Sequence, residues 1–318
     1  MDDDLLKPGD SQAAIVVVGP TASGKSELAQ CIAERIGGAV LSADSMQVYR
    51  GMNIGTGKVT IEERRVPHFG LDLVDPGEPY SASLFQEYGR QVKRDLDEKD
   101  MPCVVCGGTG FYIRALIDDY RFPEGEQVGN ATRDEYAALL DEIGPEALWQ
   151  RLHDIDPRSA ALLHHNDTKR VIRAFELIAD GTSYAKQHEG LSSIAQLLPA
   201  VFIGLDVTPA ILNERIDARV DAMVEQGLVD EVSGLLNKGF RSGITAQQAI
   251  GYKEIVDYLD GRLSLDDALD RIKTATHRYA KRQRTWFRRD KRIQWLDADS
   301  SETQRMLEKS LQLIATMD

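Results

Sequence analysis

Residues 19 to 26 read GPTASGKS, an unbroken G-x-x-x-x-G-K-[ST], and their flanks restrict the fold more than any other feature of the chain. Before them, Ala13 to Val18 is a continuous apolar, β-branched run; after them, Leu28, Ile32 and Ile36 recur at helical spacing from Glu27 to Ile36. Strand, glycine-rich loop and helix in that order form a phosphate cradle. Backbone N–H groups turn toward phosphate oxygens, the helix N-terminus adds partial positive charge, Lys25 brings a mobile cation and the Ser26 hydroxyl can ligate Mg²⁺. The diphosphate-binding set is therefore Gly19, Pro20, Thr21, Ala22, Ser23, Gly24, Lys25 and Ser26. The pattern implies a bound di- or triphosphate, but it does not choose between NTP hydrolysis, phosphoryl transfer and other reactions that hold or expel diphosphate.

Three more strand-like runs follow: Ala39 to Ser42 ending at Asp44, Met101 to Cys106 ending at Gly107-Gly108, and Ala200 to Leu205 ending at Asp206. Strands alternating with helices predict an α/β fold, a P-loop NTPase-like parallel sheet with helices on both faces. Ligands in such sheets bind beyond the strands' carboxyl ends, where Gly19, Asp44, Gly107 and Asp206 fall. From Asp119 to Leu198 the strand signal disappears. Residues 119–198 read as a helical insertion domain, with 1–118 and 199–318 forming the catalytic core. The part after Thr208 is mostly helical, with a long helix from Ser264 to Arg289 and Ser264 as its N-cap.

With 38 Lys+Arg against 51 Asp+Glu, the net charge is -13, which excludes a globally basic nucleic-acid binder but not a local basic face. The acidic start MDDDLLKPGDSQ is unlike a signal peptide, and no apolar run is long enough to cross a bilayer, so the expectation is a cytoplasmic protein with no membrane contact. Cys103 and Cys106 form a C-x-x-C inside a strand-like run, read as buried thiols.

Asp44 lies in SADSMQVYRGMNIGTGK, where position alone allows a general base, a water-mediated Mg²⁺ ligand or an N-cap. Asp206 is equally open between a Walker-B-type Mg²⁺ ligand and a cap. That segment, with GPTASGKS, GGTGFYIRAL, NDTKRVIRAFE, RVDAMVEQGLVDEV, QAIGYKE and RYAKRQRTWFR, resembles the tRNA dimethylallyltransferase (tRNA isopentenyltransferase) family. The motifs run in family order from Gly19 to about Arg288. The resemblance implies transfer of a dimethylallyl group from dimethylallyl diphosphate to the exocyclic amine of the adenosine on the 3′ side of the anticodon. The acceptors would be tRNAs that read codons beginning with U, and the products N6-dimethylallyladenosine and diphosphate. It also implies Asp44 as the carboxylate accepting the amine's proton, Thr109 at the reacting groups and Arg219 on the diphosphate, with Mg²⁺ as cofactor. Read alone, Thr109 suits a helix cap and Arg219 an ordinary solvated helix charge.

From Arg271 to Arg292 ten Lys+Arg face one acidic residue, a net of +9, interleaved with Tyr279, Trp286 and Phe287. Such a tract suits RNA, which an acidic remainder would repel from other surfaces. The resemblance assigns tRNA contacts to Asp44, Ser45, Met46, Gln47, Thr109, Arg133, Lys169, Arg170, Arg173, Gln248, Gly251, Tyr252, Lys253, Lys281, Arg282, Gln283 and Arg288. Gln47 either reads the edge of an extruded base or is satisfied by backbone groups. Ser26 stands where the family often has Thr, and Lys169 where Arg is common. No Cys/His cluster follows Trp286, which marks the bacterial form, here expected to be a monomer. The competing readings are an adenylate isopentenyltransferase acting on free nucleotides, a P-loop kinase of a small metabolite, and a nucleotide-gated RNA-binding protein.

Overall fold

The computed structural model describes residues 12–122, 131–300 and 302–316; the acidic start of the chain and residues 123–130 of the expected insertion lie outside them. The described chain divides into two compact units, one running through Ile117 and resuming at Leu197, the other Asp118–Gln196.

In the first unit, β1 (Ala14–Val18), β2 (Ala39–Ser42), β3 (His68–Phe69), β4 (Cys103–Gly107), β5 (Ala200–Asp206) and β6 (Ile293–Asp297) make one sheet in the order β3-β2-β4-β1-β5-β6. Every pairing is parallel, as in Val17 opposite Cys106 and Ile203. β1 lies between β4 and β5, so all five of its residues are buried, which is why its sequence is an unbroken apolar run rather than an alternating one. The chain leaves β1 toward one side of the sheet and returns through β5 on the other. This reversal opens a crevice at the strands' carboxyl ends.

The helices of this unit are α1 (Lys25–Ile36), α2 (Ala82–Asp97) and α3 (Gly110–Ile117), followed after the second unit by α8 to α12. These last are α8 (Pro209–Glu225), α9 (Leu228–Leu236), α10 (Tyr252–Leu259), α11 (Leu265–Phe287) and α12 (Thr303–Ala315). α11 begins as its sequence predicts, the Ser264 hydroxyl accepting the Asp267 N–H at 3.1 Å. It buries Ala268, Ile272, Ala280, Gln283 and Phe287 along one stripe. Cys103 and Cys106 are buried and free, and burial pushes their thiols up to about 12 and about 11.

The second unit is built from α4 (Ala131–Ile155), α5 (Pro157–Ala161), α6 (Thr168–Ala179) and α7 (Tyr184–Ser193). α4 breaks at Gly144, whose φ of 81° precedes Pro145. Its own core gathers Leu148, Leu152, Leu163, Val171 and Phe175, with Tyr136 stacked 4.0 Å from Phe175.

Candidate active site

The loop between β1 and α1 is the sequence-predicted cradle. Ala22 and Gly24 take left-handed φ values of 62° and 88°, which turn the loop into the first turn of α1. Lys25 folds back so that its Nζ donates to the Pro20 carbonyl at 3.3 Å. Burial lowers its pKa, while Cys106 and Asp44 oppose that shift and Arg219 adds to it. Thr21, Lys25 and Ser26 line a pocket together with Asp44, Gln47, Arg219 and, from α11, Tyr279 and Gln283. The crevice continues into a second pocket that shares Thr21, Asp44, Thr56, Arg219 and Tyr279 and extends to Ser45, Met46, Gln248, Gly251, Lys253 and Arg282.

Asp44 stands just past β2, its Oδ1 accepting the Met46 N–H at 2.9 Å, a turn that holds the carboxylate toward the cradle. Thr109 Oγ1 accepts the Ser45 N–H at 3.0 Å, so the β4–α3 loop is pinned to the Asp44 turn. The segments meet because Ala43 and Gly107 are in close contact: a Cβ on Gly107 would lie 2.2 Å from the Ala43 carbonyl oxygen. Arg219 comes from α8 and is half-buried rather than solvated. Its Nη2 donates to the Thr56 carbonyl at 3.2 Å. Burial lowers its pKa and the Asp44 carboxylate partly restores it. One carboxylate thus stands among two desolvated cations, an arrangement that suits proton acceptance beside a polyanion.

The remaining predicted residues divide by what they touch. Gln47 Oε1 accepts from the Ser42 hydroxyl at 2.8 Å and its Nε2 donates to the Thr56 carbonyl at 3.3 Å, while the side chain still lines the pocket. Gln283 is buried: its Oε1 accepts the Thr21 N–H at 2.9 Å and its Nε2 donates to the Gly108 carbonyl at 3.0 Å. It bolts α11 to both phosphate-side loops, and Gly108 makes room, since a Cβ there would lie 2.1 Å from the Gln283 amide nitrogen. Tyr252 is fully buried, its hydroxyl donating to Glu231 at 2.6 Å. Lys253 is half-exposed beside Glu254 at 3.5 Å, and Gly251 starts α10 with its N–H on Glu254 Oε2 at 2.8 Å.

The basic tract is less free than its sequence suggests. Asp206 accepts Arg284 at 3.2 Å and Arg288 at 2.7 Å, so both its oxygens are occupied by arginines, and it lines neither pocket. That removes its Walker-B reading. Lys273 pairs with Asp221 at 2.6 Å and Arg292 with Asp290. Among the described residues of the tract, Arg271, Arg278, Lys281, Arg282, Arg289 and Lys291 are exposed without an ion pair, Arg282 lying 5.6 Å over the Tyr279 ring.

Within the second unit, buried Glu176 takes two bonds from Arg133, at 2.6 and 3.1 Å, and one from Arg173 at 3.0 Å. Burial alone would raise its pKa; the two guanidinium groups outweigh that and hold it low. Lys169 and Arg170 at the start of α6 are exposed, Arg170 pairing with Asp167 at 3.2 Å.

Several lining residues had no sequence assignment: Thr56, Gly57, His68 and, as an inner wall, Tyr279. The NIGTGK run and the aromatic within the basic tract were their available signals. Among the described residues no three His, Cys, Asp or Glu side chains gather closely enough to hold a metal by themselves. Mg²⁺ suits such a site, because it keeps water and phosphate oxygens and takes few protein ones; the Ser26 hydroxyl, with Asp44 lining the same pocket, meets that demand.

A P-loop at the carboxyl edge of a parallel sheet, with the Asp44 carboxylate and one further cation, Arg219, converging on it, defines a P-loop group-transfer enzyme of the α/β class. Residues 47–290 match the model of the IPP transferase family, and residues 12–66 that of isopentenyl transferase. The chain belongs to the IPP transferase family. It is similar to the tRNA dimethylallyltransferase of Carboxydothermus hydrogenoformans, 42% identical over 94% of this chain and 96% of the relative. A second relative of that name, from Geobacillus thermodenitrificans, is 42% identical over 92% of each chain. Among solved structures, the full-length tRNA isopentenylpyrophosphate transferase of Bacillus halodurans superposes with a TM-score of 0.70 at 38% identity, covering 96% of this chain and 98% of that one. A eukaryotic dimethylallyltransferase acting on tRNA gives 0.79 at 29% identity, over 96% of this chain and 80% of its own. Among the described residues no helix is long and apolar enough to cross a membrane.

Proposed function

We propose that this enzyme transfers a dimethylallyl group from dimethylallyl diphosphate to the exocyclic amine of the adenosine on the 3′ side of the anticodon in tRNA. The observation that carries the reading is the meeting of Asp44, Arg219 and the Lys25 cradle in one crevice, in a chain whose relatives bear that activity in their names. The chemistry breaks the bond between the prenyl C1 and the diphosphate oxygen and forms one between C1 and the adenine nitrogen. The amine is a weak nucleophile because its lone pair is delocalised into the ring. Asp44 accepts its proton as the C–N bond forms. Lys25, the loop amides and Arg219 take up the charge that grows on the departing diphosphate. Mg²⁺, held by the Ser26 hydroxyl and phosphate oxygens, supplies further positive charge when bound. Thr109 keeps the Asp44 turn in place through Ser45.

To reach an adenine stacked in an anticodon loop, the enzyme draws it out into the crevice, with Gln47 and Ser45 at its wall. Exposed Lys281 and Arg282 offer the phosphate backbone positive charge, as do Lys169 and Arg170 in the second unit. The test is incubation with Mg²⁺, radiolabelled dimethylallyl diphosphate and unmodified tRNA, with AMP and ATP as parallel acceptors. Label in tRNA is expected. Label in AMP or ATP alone would move the activity to free nucleotides, and label nowhere would refute the reading.

A further inference from the structure

We infer that Glu231, a residue of α9 outside both pockets, is a positioning residue that sets the diphosphate and base sides of the site together. The inference rests on the transferase reading for what the two sides bind. Its carboxylate collects four donors: the N–H groups of Asn53 and Ile54 on Oε2 at 3.0 and 2.8 Å, and the Gly55 N–H and the Tyr252 hydroxyl on Oε1 at 3.3 and 2.6 Å. Three successive amides converging on one anion make a fixed backbone nest, with the carboxylate as its permanent occupant.

The next peptide in the chain carries the consequence. The Thr56 carbonyl accepts both Arg219 Nη2 at 3.2 Å and Gln47 Nε2 at 3.3 Å. One backbone oxygen therefore orients the cation facing the diphosphate and the amide facing the base. Gly57, with φ of 60°, lets Arg219 lie against this turn, since a Cβ there would meet the Arg219 guanidinium at 2.1 Å. A second anchor, Lys58 Nζ on the Tyr49 carbonyl at 2.8 Å and on Asp72 at 2.6 Å, fixes the far end of the same turn. Three sequence motifs thus converge on a single turn: Gln47 to Lys58, Arg219 with Glu231, and Tyr252. By contrast, Asp44 and Thr109 are held by Met46 and Ser45 and do not depend on the nest.

Replacing the carboxylate by an amide should loosen the turn and hence Arg219 and Gln47, while leaving the proton acceptor in place. In Glu231→Gln, affinity for inorganic diphosphate, measured by calorimetry at a temperature where melting shows the variant folded, is expected to fall about tenfold. The KM values for dimethylallyl diphosphate and tRNA should both rise, and kcat should fall as well, because Arg219 also meets the charge that grows on the departing diphosphate. Glu231→Asp, which keeps the charge but shortens its reach, should fall between wild type and Glu231→Gln and serves if the amide variant does not fold. Asp230→Asn, on the exposed side of α9, removes a charge without touching the nest and should leave diphosphate affinity unchanged. A purely structural role would lower Tm and leave diphosphate affinity and both KM values alone; that result would overturn the inference. Because the diphosphate arm needs no acceptor, wild type that binds diphosphate but prenylates no tRNA would count against the proposed function alone. Wild type that does not bind diphosphate would overturn both.

Discussion

Gln283→Met replaces a near-isosteric side chain and removes two hydrogen bonds at once, leaving the Thr21 N–H and the Gly108 carbonyl without their partner. The Gly108 bond is buried and the Thr21 bond partly so, which places the first orphaned group at the upper part of a cost of about 1–3 kcal/mol and the second at the lower part. Together they amount to about 3–5 kcal/mol. At about 2–4 °C of melting temperature per kcal/mol for a body of this size, the midpoint should drop by about 6–20 °C. Thr21 also belongs to the cradle, so the loosened loop should weaken inorganic diphosphate binding, whereas an RNA contact would not. The assay is thermal melting by circular dichroism, paired with diphosphate calorimetry and tRNA filter binding over a range of salt concentrations. Unchanged melting and diphosphate affinity together with weakened tRNA binding would refute the reasoning and make Gln283 an RNA ligand instead of a bolt.

Asp44→Asn keeps an oxygen for the Met46 N–H but loses the base, so kcat should fall by about 10²–10⁴-fold with tRNA binding nearly intact, as followed by label transfer and filter binding. Arg282→Ala should weaken tRNA binding and reduce the salt slope by about one while sparing diphosphate; Lys25→Ala should do the reverse. Burial lowers the Lys25 pKa below 10.5, and bound diphosphate favours the charged form. Diphosphate affinity should therefore fall as pH rises through that lowered value, and Lys25→Met should remove this limb of a calorimetric pH series. Glu176 has a carboxyl held below 4.5 in the folded state, so it contributes stability that is full above that value and lost as pH falls through its own lowered pKa. Glu176→Gln should flatten the acid limb of a melting series.

β1, α1 and β2 were legible because their signals are local: an unbroken β-branched run marks a strand covered on both faces, and a glycine-rich turn followed by helical spacing marks a cradle. Two strands escaped. β3 is two residues long and exists through its pairing with β2, so it has no periodicity to read. β6 follows the densest run of positive charge, and its IQWLD carries two polar residues because it is an edge strand beside β5. Asp206 and Asp221 neutralise cations of the tract from other elements, which a count along the tract itself misses.

By itself the sequence determined the phosphate cradle, the parallel α/β sheet, the helical interruption and, through seven ordered motifs, the family. Those features depend on side-chain type and short-range spacing, which a chain carries before it folds. Only the tertiary structure decided which polar residues face the site and which hold it together. It brought Gln283 to a loop 262 residues away and turned Tyr252 inward onto Glu231. It also placed half-buried Arg219 beside Asp44. Desolvation and hydrogen bonding depend on distance and burial in space, and residues of the same type along the chain acquire opposite roles from them.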